Sequence, residues 1–151
     1  MLMNLNQSPQ TKIQLDLDTA TSKLSSGKFQ EVLDEASLLL PTAKTKLHRA
    51  TCHFMIGAAL KNLGNGNEAL PHFLEATLAY PTDQPFLLGH AQLEISEIQN
   101  ERGLNESALF FIDMAISNFD LGEELSGTAA IKQDCRILKE KILRELNTFE
   151  Q

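Results

Sequence analysis

Metal binding and nucleophilic catalysis both need histidine, cysteine, hydroxyl or carboxylate groups held at fixed spacing, so those residues come first. His48 and His53 stand five apart, and residues at that spacing do not share a helix face well. Cys52 adjoins His53, but neighbours on a helix point about 100° apart and make no dyad by adjacency. His72 and His90 belong to no HExxH, and no pair of carboxylates stands with a histidine in an acid–base constellation. Ser96 beside Glu97 carries no nucleophile signature, and Gly64-Asn65-Gly66 reads as a turn, not as a phosphate-binding GxGxxG. Cys52 and Cys135 are far apart without CxxC spacing, and read as buried free thiols in preference to a disulfide or a metal pair. The expectation is a chain with no catalytic residues, no metal and no cofactor.

Composition narrows the class. With 151 residues, 42% of them hydrophobic, the chain is long enough to bury a core as one domain. No apolar run approaches the ~20 residues of a membrane span. The start, MLMNLNQSPQTK, lacks the basic-then-apolar order of a secretory signal, so the expected location is cytoplasmic. The net charge is −7, made of −8 over the first 127 residues and +1 from Thr128 onward, where Lys132, Arg136, Lys139, Lys141 and Arg144 gather. That distribution argues against a nucleic-acid partner and leaves a basic last helix able to meet an acidic one.

The elements that would position any site are helices throughout. Residues 1–10 are polar, aperiodic and expected to be a mobile tail. Ile13, Leu17, Ala20 and Leu24 form one apolar stripe on a helix over 11–25, ended by Gly27. Lys28 to Leu40 form a second, stopped by Pro41. A third runs from about 42–44 to Leu63, and a fourth from Asn67, as N-cap, to Tyr80, with Pro71 one turn in. Asp83 is the candidate cap of a fifth, running to Glu101 and ended by Gly103. A sixth runs from Asn105 toward Gly122, and a closing seventh from about Thr128 to Leu146.

Aligned on Gly27, Gly64 and Gly103, spaced 37 and 39 apart, the chain repeats itself. Small residues Ala20, Gly57 and Ser96 stand seven before the glycines. Val32, Ala69 and Ala108 stand five after, Ala36, Phe73 and Ile112 nine after, and Leu39, Ala76 and Ala115 twelve after. Small side chains let two helices of a hairpin approach, with larger ones filling toward the next hairpin. Gly57, Leu60, Gly64, Ala69, Phe73, Ala76 and Pro81 make the stretch 50–83 resemble a tetratricopeptide repeat, with weaker copies around Gly27 and Gly103. The period is longer than the family's usual ~34.

The resemblance implies an all-α, right-handed solenoid of about seven antiparallel helices over 11–148, as hairpins 11–41, 42–81 and 83–121 and a closing helix 124–148. It also implies a non-catalytic module whose first helices line a groove for a peptide or helix of another protein. Carried over by position, the groove is Gln14, Leu17, Thr21 and Leu24; Thr51, Phe54, Ala58 and Lys61; His90, Leu93, Glu97 and Asn100; and Lys132, Arg136 and Lys139. Leu17, Phe54 and Leu93 could equally be core. Leu17 and Thr21 stand where members that clamp chaperone tails carry Lys and Asn, so that clamp is not implied. Competing readings are a small secretion-type chaperone of the three-repeat class and a structural homo-oligomer.

Overall fold

The computed structural model describes residues 9–122 and 127–150, with side chains for 11–122 and 127–148. Among them there are seven α-helices and no strand: α1 (Pro9–Ser25), α2 (Phe29–Leu39), α3 (Lys46–Asn62), α4 (Gly66–Ala79), α5 (Pro85–Glu101), α6 (Asn105–Leu121) and α7 (Thr128–Glu150). The protein is all-α. None of its described helices is long and apolar enough to cross a membrane. Where sequence leads to one domain, the chain divides into two compact units, with the boundary between Ala79 and Tyr80.

Three turns of one kind join the helix pairs. Gly27, Gly64 and Gly103 have φ of 79°, 89° and 76°, the left-handed region in which a Cβ is strained. At each, the glycine N–H donates to a carbonyl three residues back: Leu24, Lys61 and Asn100, at 3.1, 3.0 and 3.0 Å. The next N–H reaches five back, from Lys28, Asn65 and Leu104 to Lys23, Leu60 and Gln99, at 3.0, 2.8 and 2.9 Å. These two bonds define the Schellman motif, which satisfies the orphan carbonyls of the ending helix. The next helix starts at once, with Val32, Ala69 and Ala108 donating to Lys28, Asn65 and Leu104.

Contacts nested around the Gly103 turn show that α5 and α6 run antiparallel: Asn100 to Asn105, Ser96 to Ala108, Gln92 to Asn118. The side chain of Gly89 is likewise only a hydrogen because Phe119 is there; a Cβ would stand 3.0 Å from its ring. Around Gly64 the same closeness recurs. A Cβ on Gly57 would lie 3.0 Å from the ring of Phe73, so this aromatic fills the crossing within its own hairpin. In the N-terminal unit Ile13, Leu17, Ala43 and Cys52 form one buried cluster. In the C-terminal unit Leu93, Ala108, Ile112, Ala115 and Phe119 close with Cys135 and Ile142 of α7. Buried Thr128, Cys135 and Ile142 are seven apart, the period of a helix lying along its neighbour.

Several helix ends fall elsewhere than the sequence suggests. Pro9 and Gln10 are the first turn of α1, not tail, while residues 1–8 lie outside the described ones. Helix α3 starts at Lys46, because the Thr45 hydroxyl caps it by accepting the His48 N–H at 3.1 Å. Asn67 is inside α4, whose first backbone bond runs to the Asn65 carbonyl, so it is not the cap. Gln84, not Asp83, precedes α5, with Pro85 at its first position. Gly122 ends α6 at an ordinary φ of −75°. Helix α7 runs to Glu150, past the expected end at Leu146, and most of the link before it is outside the described residues.

Gly57→Ala and Gly64→Ala should both destabilise, for different reasons. The first forces a methyl into a fully buried ring, and overpacking of this kind costs about 1–3 kcal/mol, against a helix-propensity gain of about 1 kcal/mol. The second meets no atom within 4 Å and costs about 1–2 kcal/mol through backbone strain alone. Urea midpoints of double variants separate the two: Phe73→Leu should couple with Gly57→Ala and add simply to Gly64→Ala.

Candidate functional site

The expected groove residues of the N-terminal unit lie on α1 and α3. These helices run parallel, since residues 34 apart meet along their seam. Gln14 Oε1 is 3.1 Å from His48 Nε2, and the Thr21 hydroxyl is 4.0 Å from Met55 Sδ. That offset is three fewer than the 37 between Gly27 and Gly64, so α3 is shifted by about one helical turn against strict repeat register. Leu17 is 2% exposed and belongs to the buried cluster with Cys52, so it is core and not groove. Leu24 is half-buried, and Thr21 is exposed with its hydroxyl donated to the Leu17 carbonyl.

On α3, Thr51, Phe54, Ala58 and Lys61 share one face by helical spacing. Ala58 is buried, and the other three are half-buried. Thr51 donates its hydroxyl to the Leu47 carbonyl, and Phe54 meets Phe73 edge-on at 5.5 Å between ring centres. Phe54 is therefore part core and part surface, resting on the ring that fills Gly57.

In the C-terminal unit α7 takes up much of what was expected to be groove. Leu93 is buried in the α5–α6–α7 core. Asn100 is 7% exposed, and its amide donates to Glu145 at 2.8 Å and Asn105 at 3.1 Å while its oxygen accepts from Lys141 at 3.0 Å. No partner has access to an amide so occupied. Lys132 pairs with Asp120 at 3.4 Å and Lys139 with Asp113 at 2.8 Å, tying α7 to α6 instead of rimming a groove. Arg136 is exposed and Glu97 half-buried. His90 sits half-buried between Phe86 and Phe119, at 4.8 and 5.5 Å between ring centres, and burial lowers its pKa below the usual histidine value.

Both thiols are buried and free, and burial pushes each up to about 11, with Asp134 and Glu97 adding to the rise at Cys135. They are not nucleophiles at neutral pH. Sequence reasoning missed a second pairing: His53 on α3 and His72 on α4 face each other with 3.1 Å between their Nδ1 atoms. It compared His53 with His48 along one helix, whereas the relevant neighbour stands across the Gly64 turn. It also missed surface clefts. One, of about 420 Å³, lies between the Gly103–Ser107 turn and Leu146; another, of about 320 Å³, is lined by Asp16, Thr19, Glu35, Leu38 and Leu39.

Comparison of the chain with protein-family models, curated proteins and solved structures finds no match.

The depressed pKa of His90 gives a pH dependence with a definite sign. The unfolded chain binds this proton near pH ~6.5 and the folded chain only at lower pH, so the stabilising difference is complete above that value and is lost as pH falls below it. Urea midpoints measured at pH 7.5, 6.5 and 5.5 should fall for the wild type, and fall less steeply for His90→Gln.

Proposed function

We propose that this chain is a non-catalytic protein-interaction module, a right-handed helical solenoid of tetratricopeptide-repeat type. It takes a peptide segment of another protein on the half-exposed face of its first helices. The observation that carries the reading is the threefold recurrence of one turn, with the same two hydrogen bonds at glycines 37 and 39 residues apart. The positions five and nine residues beyond each glycine are fully buried. A repeated hairpin of this kind buries its apolar face against neighbours and leaves a continuous surface for a ligand. The peptide-binding face in this reading centres on Thr51, Phe54 and Lys61 of α3 with Thr21 of α1. Core Leu17 and Leu93, and Asn100 held by α7, are no longer part of it. An aromatic anchor beside a lysine suits a segment with an apolar residue and an acidic flank. Two free thiols fit a reducing, cytoplasmic setting.

Selection of peptides from a displayed library against the full chain tests this reading. Enriched peptides should bind at least about tenfold more weakly to Thr51→Arg and to Lys61→Glu, a loss of about 1.4 kcal/mol. The helical circular-dichroism signal should be unchanged in both. Peptides indifferent to both variants, or no enrichment, would remove the α3 face as the site.

A second reading, self-association, is favoured by Leu38, Leu78 and Leu121, exposed at 77%, 80% and 78% near the C-terminal ends of α2, α4 and α6. Light scattering over a hundredfold range of concentration separates the two. A monomer throughout excludes the oligomer.

A further inference from the structure

We propose that His53 and His72 form a two-point chelate for a late first-row divalent transition metal ion, clasping α3 to α4. The spacing of the two nitrogens suits a ligand pair. Imidazole nitrogens bind such ions at about 2.0–2.1 Å, so two of them on one ion stand about 2.9 Å apart at a right angle and about 3.4 Å apart at a tetrahedral one. The two Nδ1 atoms are 3.1 Å apart, inside that interval, with ring centres at 5.3 Å and planes inclined by 34°. Both rings are half-buried, so the helices flank them while part of each ring stays in solvent.

The electrostatics agree. Burial holds both rings below the usual histidine pKa, and at His72 the neighbouring His53 adds to the lowering, so at neutral pH the pair offers nitrogen lone pairs and not two cations. The Glu75 carboxylate, three residues along α4 from His72, acts on both rings and supplies negative charge beside the ion. In the metal-free pair one Nδ1–H must lie between the rings. On binding, that proton moves through solvent to Nε2 of the same ring, so the ion enters without net proton release. Cys52 contributes nothing to this site, since it is fully buried in the cluster with Ile13 and Leu17. No group of three or more histidine, cysteine or carboxylate ligands exists among the described residues, so water completes the coordination shell. An open two-nitrogen site should follow the general order for such ions, with Cu2+ bound more tightly than Ni2+ or Zn2+.

Calorimetric titration of the full chain with Cu2+, Ni2+ and Zn2+ in turn, in a non-chelating buffer at pH 7.5, tests the assignment. One equivalent of each ion should bind, copper most tightly. His53→Gln and His72→Gln should each weaken binding at least tenfold, while His48→Gln and His90→Gln leave it unchanged. A second measurement needs no variant. Substoichiometric Cu2+ added to the wild-type chain should broaden the imidazole resonances of His53 and His72 first. Broadening that starts elsewhere, binding indifferent to both substitutions, or no binding at millimolar metal would each overturn the proposal.

Discussion

A helix that ends inside a folded chain leaves its last carbonyls unpaired, and in this protein the left-handed glycine after the helix settles where they go. At Gly27, Gly64 and Gly103 it folds two N–H groups back onto the ending helix and releases the chain straight into the next one. That single constraint fixes the direction of the second helix and its register against the first. Register then decides which side chains meet. Gly57 lies under Phe73 because each is a set number of residues from Gly64, and Ser96 donates its hydroxyl to the Ala108 carbonyl at 2.7 Å for the same reason at Gly103.

The two units use that register differently. Around Gly64 the crossing is apolar where Gly57 meets Phe73, with a second aromatic on its edge. Around Gly103 it is partly polar, with Gln92, Ser96 and Asn100 all buried on α5. Each is satisfied: Gln92 accepts from Asn118 at 2.7 Å, Ser96 donates to α6, and Asn100 is held by α6 and α7 together. Paired polar groups in a core specify one arrangement in preference to slipped ones. Here Asn100, bonded to Lys141 and Glu145, orients α7, whose seven-residue burial period alone would allow it to slide along its neighbour.

The helices and their turns were legible because glycine at a positive φ leaves a mark that no other residue imitates, and because Ala20, Val32, Ala36, Ala69 and Ala108 recur at fixed distances from it. Caps were less legible. Asn67 and Asp83 have the right chemistry, but Thr45 and the backbone of Asn65 and Gln84 hold the positions where the chain enters the helix. Periodicity also names a face without saying what covers it. Leu17, Phe54 and Leu93 look alike in sequence, yet one is core, one divides between core and surface, and one lies beneath α7. The His53–His72 contact escaped because partners across a turn, nineteen residues apart, have no spacing rule of their own.

Cys52 and Cys135 fall one to each compact unit, fully buried, with thiols pushed up to about 11. At neutral pH only about one such thiol in ten thousand is ionised, and no reagent can reach it while the surrounding helices are closed. Alkylation must therefore wait for a unit to open. The labelling rate at each cysteine thus reads the free energy of the opening that exposes it.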